Sequence, residues 1–211
     1  MVNVNLSEEE QVEALKKWWR ENGRSVVGGV VIGLGAVFGW RYWVEHQDSK
    51  AQQASIQLAQ LQQSVATGNS GVANKQAQTL IENYQGTPYA IFAALNLAKV
   101  KMQAQDGEGA VAQLKWALEN ASDPSLQQVV RARMARILVS EGKLSEAQQV
   151  VDGAAADSFR GEFAELRGDI ARARGDHAAA RAAYQEALDN QVSNSAYVQM
   201  KLDDLSPAAN G

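Results

Sequence analysis

The segment GEFAELRGDIARARGDHAAARAAYQEALDNQVSN, Gly161–Asn194, decides the fold. It reads as two helices joined by a tight break at Gly175, because apolar and small residues return at helical spacing on either side of that glycine. Gly168 in the first helix and Ala180 in the second are the small residues that let two backbones cross closely. Tyr184, Ala187 and Leu188 share the face of Ala180 and leave apolar surface that one pair cannot bury by itself. Such a pair needs neighbours.

The rest of the chain supplies them. Ala77, Ala110, Ala147 and Ala180 recur at intervals of 33, 37 and 33 residues, and each is read as heading the second helix of a pair. A period of this size marks a stacked repeat, and Gly168, Gly175, Ala180, Tyr184, Ala187 and Leu188 fall where a tetratricopeptide repeat places its small residue, turn glycine, alanine, aromatic and final Ala-Leu. The unit 128–161 matches at Ala135, Gly142, Ala147 and Ala154, and the unit 91–124 at Leu97, Ala98, Leu114, Ala117 and Leu118. The first unit, around Gln57–Tyr84, keeps only Ala77 and Ile81 and lacks a turn glycine. Thr87-Pro88 and Asp123-Pro124 read as helix starts, each a capping residue followed by a first-turn proline. Gly107, Gly142 and Gly175 are placed in turns between helices. Residues 194–205 form one more helix, whose stripe of Tyr197, Val198, Lys201, Leu202 and Leu205 covers the raw end of the stack. The expectation is an all-α fold, a tetratricopeptide-like α-solenoid of about four helix pairs over residues 45–205 with a flexible tail at 206–211. A generic helical bundle is the competing fold, and the repeat spacing argues against it.

Ahead of the repeats, Val26–Trp40 is an unbroken run of apolar residues and glycine. Counted to Val44 it has 19 residues, enough to cross a hydrocarbon core of about 30 Å at the helical rise. Arg41 lies near one end, where its stem carries the guanidinium to the headgroups, beside a belt of Trp40, Tyr42 and Trp43. A buried core helix would rarely be apolar on all sides. A cleaved signal peptide would want a short basic start and a small-residue cleavage site; here the lead holds Glu8, Glu9, Glu10, Glu13 and Glu21, and the run ends in bulky aromatics. An uncleaved anchor over residues 25–44 fits better. Residues 1–24 form a lead with an amphipathic helix at 7–22, started by a capping box at Ser7 and Glu10, with Val12, Leu15, Trp18 and Trp19 on one face. Lys16, Lys17, Arg20 and Arg24 precede the anchor, whereas only Arg41 and Lys50 follow before Lys75, so the N-terminus is expected in the cytoplasm and the repeats outside. Gly29 with Gly33, and Gly35 with Gly39, repeat the GxxxG spacing that admits another membrane helix, although glycine is common in spanning helices with no specific partner.

Catalytic chemistry has no footing in this sequence. The nucleophile-elbow, zinc-protease, phosphate-loop and dinucleotide patterns are missing. His46 and His177 have no companion at ligand spacing, and the chain has no cysteine, so no thiolate site or disulfide can form. Asp203 and Asp204 point about 100° apart on a helix and cannot share a substrate. A net charge of −4 argues against nucleic acid, which selects a clustered basic face. No enzyme activity, cofactor or metal is expected.

A binding role remains. In repeats of this type the first helix of each pair lines the concave side. By register those residues are Phe92, Leu95, Lys99 and Met102, then Val129, Ala132, Arg136 and Val139, then Glu162, Glu165, Asp169 and Arg172, a groove running from apolar to acidic with about half its residues exposed. The basic pattern with which tetratricopeptide domains hold a C-terminal carboxylate is not evident. The lead E-E-E-Q-V-E-A-L-K-K-W-W (Glu8–Trp19), the glycine-rich anchor ending in W-R-Y-W and the repeats together resemble the bacterial ancillary subunit of the SecYEG translocon, over nearly the full chain. The resemblance implies a non-enzymatic single-pass inner-membrane protein with a periplasmic repeat domain. It also implies a place beside the SecYEG translocon, together with a membrane-anchored periplasmic chaperone of the prolyl-isomerase-like type and newly exported proteins. Two other roles compete: an envelope-assembly or division scaffold that binds no client, and a regulator whose cytoplasmic lead binds a response regulator.

Overall fold

The computed structural model describes residues 8–154 and 157–205, and among them every regular element is helical. In chain order these are α1 (Glu8–Ala66), α2 (Ser70–Asn83), α3 (Pro88–Gln103), α4 (Gly107–Asn120), α5 (Pro124–Ser140), α6 (Leu144–Asp152), α7 (Arg160–Ala173), α8 (His177–Asp189) and α9 (Ser195–Asp203), with a 3₁₀ turn, Asp157–Phe159, before α7. The chain divides into two compact units between Lys50 and Ala51, and α1 contributes to both.

Among the described residues of the first unit, α1 is the one regular element. The lead is not a separate short helix, because α1 runs from Glu8 through the apolar segment without a break. Gly23 is the weak point, yet one glycine costs only about 1 kcal/mol in a helix, and the Trp19 indole lies over it, 3.3 Å from where a Cβ would stand. The capping box expected at Ser7 and Glu10 lies outside the described side chains. Val30, Ile32, Leu34, Val37, Phe38 and Trp40 are all exposed, so apolar surface faces outward on every side. This helix is long and apolar enough to cross a membrane. Arg41 pairs with Glu45 one turn on, at 3.7 Å, and the Trp40 and Trp43 rings pack 5.3 Å apart beside it.

The second unit is a stack of four helix pairs: the last turns of α1 with α2, then α3–α4, α5–α6 and α7–α8, closed by α9. Its buried residues form three clusters in chain order, the first two joined through Ile81. Ala54, Leu58, Leu61 and Val65 of α1 pack on Ala73, Ala77 and Leu80 of α2 and on Ala93 and Leu97 of α3. Leu95, Leu114, Val130, Leu138, Phe163, Leu166 and Ile170 form the middle, and Ala164, Ala180, Tyr184, Ala187 and Val198 the far end.

Each pair turns in the same way. The second residue past the end of the first helix takes a left-handed backbone: Gly68 (φ 73°), Gln105 (60°), Gly142 (72°) and Gly175 (81°), spaced 37, 37 and 33 residues apart. Its N–H donates to the carbonyl three residues back (Val65, Met102, Val139, Arg172), and the next N–H donates five back (Ser64, Lys101, Leu138, Ala171), which satisfies the open carbonyls of the helix end. In three pairs the following side chain then caps the second helix. Asn69 accepts from the Val72 N–H at 3.4 Å, Asp106 from Gly109 at 2.8 Å and Asp176 from Ala179 at 3.0 Å. Asp106 also takes the Lys101 ammonium at 2.8 Å, and that contact first, with the Gly109 N–H second, holds its carboxyl below the ordinary carboxylate range.

This geometry corrects the register of the first two units. The first pair keeps its turn glycine as Gly68, and the residue equivalent to Ala110, Ala147 and Ala180 is Ala73; Ala77 lies one turn later on the same buried face. In the second pair Gln105 is the turn residue, while Gly107 opens α4 and is buried against the Glu141 carboxylate. Thr87 precedes α3 as expected, but its hydroxyl donates back to the Tyr84 carbonyl at 2.7 Å and leaves the helix start uncapped. Asp123 does cap, accepting from Ser125 and Leu126 at 2.7 and 3.0 Å.

Two substitutions test the packing logic. Gln105→Gly removes the left-handed penalty and should raise stability by about 1 kcal/mol, read as a higher melting temperature. Gly168 sits against the face of Tyr184 with no room for a methyl group; Gly168→Ala should cost about 1–3 kcal/mol by overpacking in the same assay.

Candidate partner-binding surfaces

Between α3 and α5 lies a groove of about 630 Å³. From α3 it is lined by Ile91, Phe92, Leu95, Asn96 and Lys99, and from α5 by Ser125, Leu126, Val129 and Arg133; the loops Gly86–Pro88 and 120–123 close one end, with Gln62 at the rim. Phe92 and Lys99 are exposed, Leu95 forms floor at 4% exposure, and Val129 is half-buried.

Four of the residues assigned to the groove by register line it: Phe92, Leu95, Lys99 and Val129. The others stand elsewhere. Met102 and Val139 pack against the central core and Ala132 is buried in it. Arg136 and Arg172 are exposed. On α5 the groove face runs through Leu126, Val129 and Arg133 rather than Val129, Ala132 and Arg136, because α5 turns its other flank to α7. There Arg136 Nη2 donates to Glu162 Oε1 at 2.7 Å. Ile91, Asn96, Leu126 and Arg133 were missed by the register reading; their one signal was lying a single residue from, or one helical turn along from, positions already chosen.

The acidic end is not an open surface. Glu165 is 2% exposed and, with Asp169, is engaged by α9. Lys201 donates to Glu165 Oε1 at 2.8 Å and to Asp169 Oδ1 and Oδ2 at 2.7 and 2.9 Å. The Tyr184 hydroxyl donates to Asp169 Oδ1 at 2.8 Å, and the Asn194 amide to Glu165 Oε1 at 3.2 Å. Burial, reinforced by the Asp169 carboxylate, holds the Tyr184 phenol well above its ordinary value. The Lys201 ammonium also lies 4.7 Å from the centre of the Tyr197 ring, an exposed residue that the stripe reading had placed against the stack. Removing one partner of such a buried set strands the rest. Lys201→Met should therefore cost about 3–5 kcal/mol and release α9 in hydrogen exchange, and adding Glu165→Gln and Asp169→Asn should recover part of the loss.

In the first unit, among the described residues, nothing beyond the adjoining residues and the helix's own backbone lies within 4 Å of a Cβ placed on Gly28, Gly29, Gly33, Gly35 or Gly39. The two GxxxG pairs do not make one line. At 100° per residue, Gly29 and Gly33 align with Ser25 and Ala36, while Gly35 and Gly39 align with Gly28, about 120° away around the helix.

Comparison with known proteins agrees with this architecture. A family model described as a tetratricopeptide repeat-like domain matches residues 16–207. A Haemophilus influenzae protein named ancillary SecYEG translocon subunit is 34% identical over 162 residues, 77% of this chain and 79% of that protein. The Escherichia coli K12 protein of the same name is 32% identical over 207 residues, 97% of this chain and 100% of its own length. An Aggregatibacter actinomycetemcomitans protein, also of that name, is 31% identical over 201 residues, 95% of this chain and 98% of its own. The chain belongs to the ancillary SecYEG translocon subunit family, built on a tetratricopeptide repeat-like domain.

Proposed function

We propose that the protein is a non-enzymatic inner-membrane adaptor of the Sec translocon. Residues 25–44 span the bilayer once, the lead 1–24 stays in the cytoplasm, and the repeats 45–205 lie in the periplasm, where they bind a membrane-anchored prolyl-isomerase-like chaperone, newly exported chains, or both. One observation carries the reading: a bare, membrane-length helix and a repeat domain with an open groove belong to a chain whose relatives are named as translocon subunits. The Lys and Arg excess before the anchor supports the orientation. The uncovered glycines Gly29, Gly33, Gly35 and Gly39 supply close-approach positions for a helix of the translocon or the chaperone.

Purification of the full chain from membranes in mild detergent should bring translocon subunits with it, and their repeated absence would sink the reading. Gly29→Leu combined with Gly33→Leu should leave membrane insertion intact and lower recovery of the membrane partners several-fold. Unchanged recovery would reduce this part of the helix to a tether.

A further inference from the structure

We infer that the α3–α5 groove takes an extended peptide segment in which an apolar side chain stands two residues from an aspartate or glutamate. The inference deepens the partner-binding reading of this groove and rests on it.

Charge comes first. Lys99 and Arg133 line the groove, and neither has a carboxylate partner among the described residues. Three nearby cations are tied internally, Lys101 to Asp106, Arg136 to Glu162 and Lys143 to Glu108, and Arg131 of α5 lies outside the groove lining. The acidic residue in the lining, Asp123, sits at the opposite end of the groove and uses its carboxylate on the Ser125 and Leu126 N–H groups. A chain of net charge −4 thus presents an uncompensated cationic pair at one end of an apolar floor. A guanidinium fork beside an ammonium suits one carboxylate held between them.

Spacing comes second. α3 and α5 both begin at the loop-closed end, so Phe92 and Val129 lie on the loop side of Lys99 and Arg133. The offset is about 10 Å from Phe92 to Lys99 and about 6 Å from Val129 to Arg133 along the helix axes. An extended chain advances about 3.3 Å per residue and turns every second side chain to the same face, which sets the apolar and acidic side chains two residues apart. The extended form also fits the polar lining. Asn96 and Asn120 each donate their amide to a carbonyl of their own helix, Phe92 and Trp116, at 2.8 Å, and this leaves both Oδ1 atoms as acceptors for peptide N–H groups.

Fluorescence anisotropy with the full chain in detergent micelles tests this. The probe is a short, C-terminally amidated, fluorescein-labelled peptide carrying one phenylalanine and one glutamate two positions apart in a glycine–serine background, made in both orders. One order should bind, and replacing its glutamate with glutamine should weaken binding about tenfold. Lys99→Glu with Arg133→Glu should lose that peptide and gain the version with lysine in place of glutamate; the milder Lys99→Gln with Arg133→Gln, checked by its melting curve, should lose both. Equal binding of the glutamine peptide overturns the inference, as does binding seen only when the peptide has a free C-terminal carboxylate. The unaltered full chain from the same preparation should recover the translocon. Recovery with no peptide discrimination refutes the ligand and leaves the adaptor reading standing; discrimination without recovery does the opposite.

Discussion

No helix pair in this domain can bury its own apolar face, and the rest of the architecture follows from that. Leu97 closes on α1 and α2, Leu95 on the middle of the stack, and Tyr184 on α7 and α9, so each helix serves the pair before it and the pair after it. Stability in such a stack is a sum over interfaces, and both ends are exposed by construction. At the start the last turns of α1 supply the missing surface with Ala54, Leu58, Leu61 and Val65. The helix that carries the apolar segment therefore also seals the first pair.

The far end is sealed with charge as well as apolar contact. Val198 is fully buried, but beside it α9 brings an ammonium into a site already holding two carboxylates and a phenol. Taking these ions out of water costs several kcal/mol each, and only close geometry with every polar atom matched repays it. The gain is selectivity. An apolar capping helix could settle in several registers, whereas Lys201 reaches both Glu165 and Asp169 in one.

Much of this was legible in the sequence because it depends on small residues at fixed spacing. Gly168, Gly175, Ala180 and Tyr184 announce the last pair, where a crossing, a turn and a filler each need one residue type. Legibility failed where another side chain met the same need. Gln105 takes the turn conformation usually left to glycine, so the nearby Gly107 drew the assignment. Ala73 and Ala77 lie one turn apart on one face, and periodicity alone cannot choose between them. The Lys201 cluster joins residues far apart in the chain, and no local pattern marks a lysine in an amphipathic stripe as buried.

The groove shows the deepest limit of a register argument. Lys99, Arg136 and Asp169 occupy equivalent places, each six residues before its turn residue, yet they meet three different neighbours. A first helix has two flanks, one toward the preceding pair and one toward the next. On α7 the forward flank is closed by Lys201 of α9, and on α5 it is closed by α7 through Arg136 and Glu162. On α3 the forward flank meets the backward flank of α5 across open space, with Phe92 standing between. A single stripe repeated by period treats these flanks as one, so it spreads a binding surface along the whole stack. Among the described residues the packing leaves an open groove between α3 and α5, where two cations without carboxylate partners share an apolar floor.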